Sequence, residues 1–338
     1  MDVCLYMSAP VKSAIAKPSK TLKGTVTAPG DKSISHRSII FGAMAEGITE
    51  VTGLLRGEDI LSTVRAMQAF GAEITEDENG KWQIEGVGAN GFASPTGDVD
   101  CGNAGTGVRL IMGAAAGYAM TARFTGDASL SVRPMNRILD PLREMGVSAD
   151  ARTTEAGEPG RLPVTLKSNG ALRPVEYRPP HASAQVKSAI LLAGLNAQGT
   201  TTVIEPIATR DHTENMLRAF GVPVDNRSIA NAAHISITGP AKLKATKIKV
   251  PGDPSSAAFP IIAALITPGS DIIVENVMMN PTRTGLFDTL NDMGAFLRAD
   301  NFRKSGGETI ADIHVKHSRL IGVTVPEDRA ASMIDEYP

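Results

Sequence analysis

The chain has 338 residues, 42% of them apolar, and a formal charge of -2 from 34 basic and 36 acidic side chains. That length and balance suit a two-domain globular protein with a sizeable core, and exclude a disordered chain and a nucleic-acid binder that works through overall charge. No apolar run approaches the roughly 18 residues a membrane helix needs.

The first residues, "MDVCLYMSAPVKSAIAKPSK", lack the charged start and apolar core of a signal peptide, and are expected to be a short flexible lead into a first strand within "KTLKGTVTAP". Cys4 and Cys101 form neither a disulfide framework nor a zinc spacing, which points to a reducing cytoplasm. Next, "APGDKSISHRS" places a Pro-Gly turn and an acid ahead of Lys32, Ser33, His36 and Arg37, where a helix should begin. A buried helix with two cations near its front must pair them, because an unpaired buried charge costs several kcal/mol. Asp31 could serve one of them, but a multiply charged anion suits the pattern better.

Further along, four helices end in a bulky residue followed by Gly71, Gly146, Gly221 and Gly294, at spacings of 75, 75 and 73 residues. Their apolar residues recur at intervals of three and four, as in Leu61, Val64 and Met67, so each is amphipathic. The glycines should be left-handed C-caps. Ahead of each comes a helix that is apolar nearly all round, in "SISHRSIIFGAMAEG", "GTGVRLIMGAAAG", "SAQVKSAILLAGLNAQG" and "SSAAFPIIAALITPG". With β-branched runs such as "TTVIEP" and "DIIVENV", the unit reads strand, buried helix, strand, amphipathic helix, strand. The result is an α/β protein of at least four repeats. A fifth buried helix is expected to begin near "ASMIDEYP", with further units of roughly 75 residues beyond.

Each buried helix follows a turn rich in Gly, Ser or Thr: "PGDKS", "CGNAGTG", "PHASAQ" and "PGDPSS". Free N-H groups and the positive end of the helix dipole accept phosphate or carboxylate there. These turns could equally be plain N-caps, but four alike, two with cations nearby, favour ligand binding. Arg133 and Arg210 occupy equivalent points of two repeats, which suggests a shared face. Arg109 is expected to be a buried, structural ion-pair residue. His181, His212, His314 and His317 have no metal spacing and are expected at the surface or as capping groups. Residues 86–91, "GVGANG", fit a dinucleotide fingerprint in spelling only, because "FASPTGD" follows where a helix is needed. "PGDKS" lacks the first Gly of a nucleotide phosphate loop.

Taken in order, "APGDKSISHR", "GNAGTG", "SAQVKSAILLAGL", "TRDHTE" and "VPGDPSSAAFP" closely resemble the 3-phosphoshikimate 1-carboxyvinyltransferase (EPSP synthase) family, from about residue 20 onward. "SAQ", "TRDHTE" and "SMIDEYP" look most like its class II branch. The resemblance implies a two-domain inverse α/β barrel with the active site in the cleft between the domains. One domain would be continuous over 28–250, and the other assembled from 1–27 plus 251–338. It also implies transfer of the enolpyruvyl group of phosphoenolpyruvate to the 5-hydroxyl of shikimate 3-phosphate, releasing phosphate. No cofactor, metal, nucleic acid or membrane is implied.

By motif position, Lys32 resembles the lysine that touches both substrates and helps transfer protons, and Asp335 the carboxylate that accepts the hydroxyl proton. Asp335 could instead cap the fifth buried helix. Ser33, Arg37, Ser183, Ala184, Gln185 and Arg210 resemble shikimate 3-phosphate ligands. Gly105 and Arg133 resemble phosphoenolpyruvate contacts, with Gln185 shared. Glyphosate occupies the phosphoenolpyruvate position in the family, and an alanine at the Gly105 position would crowd it, so Gly105 implies no tolerance by that route. The family pattern also implies roughly 100 further residues, among them a catalytic glutamate and several cations. The chain alone is therefore expected to be inactive, a monomer open to completion by a C-terminal fragment. Alternatives are a non-catalytic shikimate 3-phosphate binder and UDP-N-acetylglucosamine enolpyruvyltransferase. The latter would need a Lys-Asn pair where Lys32-Ser33 stands, and a reactive loop cysteine that Cys101 does not match.

Overall fold

The computed structural model of the chain describes residues 15, 17, 18, 20–154, 157 and 160–337. Most of the expected N-terminal lead, Cys4 included, lies outside the described residues.

After β1 (Lys23–Thr27), four units follow. The first comprises α1 (Lys32–Met44), β2 (Ile48–Thr52), α2 (Glu58–Ala69), β3 (Glu73–Glu76) and β4 (Trp82–Glu85). The second comprises β5 (Val99–Asp100), α3 (Gly105–Ala116), β6 (Ala119–Thr125), the short α4 (Ala128–Ser131), α5 (Asn136–Glu144), β7 (Ser148–Arg152) and β8 (Arg161–Asn169). The third has β9 (Glu176–Tyr177), α6 (Ala184–Gly194), β10 (Gly199–Glu205), α7 (His212–Ala219), β11 (Asp225–Ile229) and β12 (Ala232–Gly239). The fourth has β13 (Lys247–Lys249), α8 (Pro254–Ile266), β14 (Asp271–Met278), α9 (Gly285–Asp292), β15 (Phe296–Ser305) and β16 (Glu308–Lys316).

The helix ends agree with the glycine spacing. Gly71, Gly146, Gly221 and Gly294 have φ of 103°, 109°, 86° and 85°. In each case the glycine N-H and the next N-H bond back into the last turn, as with Gly221 to Arg218 and Val222 to Leu217. The expected unit was one strand short, because a hairpin rather than a single strand follows each amphipathic helix. These strands carry no continuous apolar run; β11 is exposed throughout and β4 alternates buried and exposed residues.

In each four-stranded sheet, the strand after the buried helix is flanked by the last strand of its own hairpin and by one parallel strand. In the second and third units that parallel strand is the unit's own, β5 or β9. The other two units exchange theirs, so that β13 pairs with β2 and β1 pairs with β14. The chain therefore crosses twice between two hydrophobic cores. The larger core is built around α1, α3 and α6, which pack on one another. Ile34, Ile39, Ile40 and Phe41 of α1 are fully buried there, each contributing about 1.5–3 kcal/mol.

The smaller core lies between α8, α9 and the β1-β14-β16-β15 sheet. Here one expectation fails, since α8 is not buried all round. Its face toward β14 and β16 is covered, but Phe259 is 80% and Ile266 62% exposed. "GVGANG" forms a 3-10 turn at Gly88–Asn90 and starts no helix, as its context required.

Candidate functional site

The N-termini of α1, α3 and α6 open on one side of the larger core. Asp31 caps α1 through Ile34 N at 2.8 Å, and Ser183 caps α6 through Val186 N at 3.4 Å. Between these mouths lies a polar cavity of about 280 Å³, lined by Lys32, Asp59, Asn103, Gly105, Thr106, Arg109, Arg133 and Gln185. Three cations face one carboxylate, so the cavity favours an anion. A second cavity of about 490 Å³ shares Gln185 with the first. It holds Ser183, Ala184 and Arg210 on one side, and Thr282, Ser332 and Ile334 on the other. It is a cleft between the two cores, reached from both.

The side chains are held by local bonds. Lys32 is half exposed and ion-paired with Asp59. Burial pushes the Asp59 carboxyl up, but the bond from Lys32 and its charge outweigh this and hold it below the usual range. Arg133 Nη2 donates to Asn103 Oδ1 at 2.5 Å and to Ser129 Oγ at 3.2 Å. Gln185 is oriented at both ends, accepting from Arg109 Nη1 at 2.7 Å and donating to Thr106 Oγ1 at 3.0 Å.

Arg109 corrects an expectation, because it has no carboxylate partner among the described residues. It bonds Gln185 and the carbonyl oxygens of Gly105 and Pro134 while lining the anion cavity. Burial, then the charges of Arg137 and Arg133, lower its pKa to about 10. No motif points to Asp59, and Arg109, one turn into α3 in "GTGVRL", was expected to serve the core rather than the anion cavity.

Arg37 is 3% exposed and is held by Thr213 Oγ1 at 2.8 Å, Ser188 Oγ at 3.0 Å and Ser33 O at 3.0 Å. Burial lowers its pKa to about 10. Asp31, the nearest acid in the sequence, turns away from both cations of α1 and pairs with Arg283.

His36 does not join the mouth but points into the core. Thr63 Oγ1 donates to Asp59 O, so it accepts from His36 Nδ1-H at 2.8 Å and leaves Nε2 without a bond. Burial, then the charge of Lys32, lowers the His36 pKa to about 3. His212, expected at the surface, is 1% exposed and bonds Glu308 Oε1 at 2.8 Å. With Asp211 these groups stand close enough to share a cation. Both carboxylates instead accept from the Asn280 amide, at 2.6 and 2.9 Å, which makes the cluster a hydrogen-bonded seam between the two cores. His181 is exposed, as expected.

From the smaller core, a 3-10 turn at Ile334–Glu336 presents Asp335, whose Oδ2 lies 2.7 Å from Arg210 Nη2. The structure thus brings Lys32, Gly105, Arg133 and Gln185 to one cavity. Ser183, Ala184, Gln185 and Arg210 meet at the adjoining cleft, with Asp335 facing Arg210.

Fold and site together define a repeat-built α/β protein whose helix mouths and cations converge on a cleft with the charge to receive small anions. The profile of the EPSP synthase (3-phosphoshikimate 1-carboxyvinyltransferase) family matches residues 16–335. A 3-phosphoshikimate 1-carboxyvinyltransferase of Phenylobacterium zucineum is 58% identical over 323 residues, covering 96% of this chain and 70% of the relative. One of Caulobacter vibrioides is 58% identical over 334 residues, covering 98% and 73%. An EPSP synthase structure from Acinetobacter baumannii superposes with a TM-score of 0.86 at 50% identity, over 95% of this chain and 70% of that one. The chain belongs to the EPSP synthase family.

Proposed function

We propose that the chain acts in enolpyruvyl transfer from phosphoenolpyruvate to the 5-hydroxyl of shikimate 3-phosphate. The observation that carries this reading is the convergence of three helix mouths with Lys32, Arg109 and Arg133 on one cavity, beside a cleft faced by Arg210 and Asp335. Both substrates are phosphorylated carboxylates, and free helix N-H groups with arginines suit such anions.

In this reading Ser33, Arg37, Ser183, Ala184, Gln185 and Arg210 receive shikimate 3-phosphate. Arg37 would act from beneath the surface, as a buried cation held only by hydroxyls and a carbonyl. Gly105, Arg133 and Gln185 receive phosphoenolpyruvate, and Lys32 touches both substrates. As the 5-hydroxyl oxygen bonds the phosphoenolpyruvate carbon that bears phosphate, its proton passes to Asp335. The C=C electron pair moves to the methylene carbon, which takes up a proton, and the resulting methyl group then loses a proton as the double bond re-forms and the carbon–oxygen bond to phosphate breaks. Lys32 stabilises charge on the bridging oxygen and assists the proton transfers. The reading takes the chain as two domains, 28–250 and the strand before it with 251–337, closing on the cleft. It needs only two small ligands and a monomer in the cytoplasm. Completion by a C-terminal fragment has no support among the relatives.

The test is calorimetric titration of shikimate 3-phosphate, followed by measurement of phosphate release when phosphoenolpyruvate is added. Release by the chain itself supports the reading and overturns the expectation that it is inactive alone, whereas binding without release, even from a chain extended to the length of its relatives, favours a non-catalytic binder. Lys32→Ala should abolish release with an unchanged melting curve; retained turnover would remove Lys32 from the mechanism.

A further inference from the structure

The segments "PGDKS" (29–33) and "PGDPS" (251–255) follow the two exchanged strands and pair with each other. Asp31 N bonds Pro251 O at 2.7 Å, Asp253 N bonds Pro29 O at 2.8 Å, and Gly30 bridges Gly252. A Cβ on Gly30 would lie 2.1 Å from Gly53 O, so only glycine fits where this segment passes the end of β2. Each segment carries an N-cap aspartate at its centre, with Asp253 serving α8 as Asp31 serves α1.

Arg283, 4% exposed, lies between the two caps. Its Nη1 reaches Asp31 Oδ2 at 3.1 Å, and its Nη2 reaches Asp253 Oδ1 at 3.1 Å and Ser255 Oγ at 2.8 Å. Ser255 Oγ in turn donates to Glu336, the neighbour of Asp335. A line of polar contacts therefore runs from the first turn of α1, which carries Lys32 and Ser33, to the turn that carries Asp335. Arg283 stands two residues before α9, as Arg210 stands two before α7, so the repeat supplies both. Arg210 faces the cleft, whereas Arg283 turns inward.

We propose that Arg283 is a positioning residue that sets the orientation of the two cores by gripping both N-cap carboxylates. Lys32 and Ser33 are thereby presented in register with Asp335. The planar guanidinium reaches the two carboxylates through separate N-H groups in a fixed geometry, whereas a lysine ammonium, a point charge on a flexible stem, would hold them without fixing their relative orientation. The Asp253 carboxyl is pushed up by burial and by the charge of Asp31, which is the strain the guanidinium relieves. The effect on substrate rests on the shikimate 3-phosphate reading above.

The test uses Arg283→Lys, which keeps the charge, and Arg283→Gln. Shikimate 3-phosphate affinity is measured by calorimetry beside thermal melting. The separation of the cores is measured between spin labels on Glu73→Cys and Asn291→Cys, in a Cys4→Ser background where Cys101 is buried. Arg283→Lys should melt cooperatively, bind shikimate 3-phosphate about tenfold more weakly and broaden the label distance distribution. Should Arg283→Gln fail to fold, the lysine variant carries the test. Affinity within about twofold of wild type and an unchanged label distance, with only the melting temperature lowered, would overturn the proposal. Failure of the wild-type chain to bind would remove the substrate reading alone, and the label distances would still decide the role of Arg283.

Discussion

Arg210 Nη2 and Asp335 Oδ2 lie 2.7 Å apart, an ion pair that joins the mouth of α7 in the larger core to the 3-10 turn of the smaller one. Asp335 is about half exposed, so the pair contributes only about 0–1 kcal/mol to stability. Asp335→Asn should therefore leave the urea midpoint nearly unchanged. As the proposed proton acceptor, however, Asp335 should matter to turnover, and its amide should slow phosphate release about 100-fold or more. Equal losses of stability and turnover would assign it a structural role instead.

At Gly105 the backbone of α3 lies close against Arg133. A Cβ there would stand 2.6 Å from Arg133 Nη1 and 3.5 Å from Arg109 Nη1. Gly105→Ala should push the Arg133 guanidinium out of the anion cavity. Competition measurements should show weaker binding of phosphoenolpyruvate and of its mimic glyphosate, with shikimate 3-phosphate affinity within about twofold of wild type. Weakening of all three ligands alike would point to a wider distortion.

His36 makes stability depend on pH. Its folded pKa of about 3 lies below the unfolded value of 6.5, so below pH 6.5 the unfolded chain binds a proton that the folded one does not. Its contribution is complete above pH 6.5 and is lost as pH falls toward 3, by about 1.4 kcal/mol per pH unit. Urea unfolding at pH 7 and pH 5 should show wild type losing about 2 kcal/mol more than His36→Gln, which cannot titrate. Equal losses would show that His36 does not control the acid limb.

Lys187 is 1% exposed and contacts two buried carboxylates, Glu205 Oε2 at 2.8 Å and Glu214 Oε1 at 2.7 Å. Burial raises the Glu214 pKa even against the charge of Lys187. Lys187→Met leaves two carboxylates without their cation and should cost about 3–5 kcal/mol in urea unfolding. Adding Glu214→Gln should restore part of the loss, because one uncompensated charge is removed.

The sequence by itself determined whatever rests on local rules. Four glycines at regular spacing could end helices only as left-handed caps, and three of the four all-apolar helices are core, α8 alone keeping an exposed face. Turns rich in Gly and hydroxyls ahead of them had to leave N-H groups free, and motif order carried Lys32, Gly105, Gln185, Arg210 and Asp335 toward a common site. The tertiary structure alone decided what depends on distant segments meeting. No local pattern shows the exchange of β1 and β13, because their strand partners lie 248 and 197 residues away, and only the family resemblance implied that the first strand joins the later segment. Arg283 carries no motif of its own, and acquires a role only when the exchanged strands bring Asp31 and Asp253 together. Arg109 and His212 were misread for the same reason. An arginine on an apolar helix predicts a buried ion pair, and a histidine without metal spacing predicts a surface or capping group. Which of these held was set by Gln185, Glu308 and Asn280, residues 68–96 positions away.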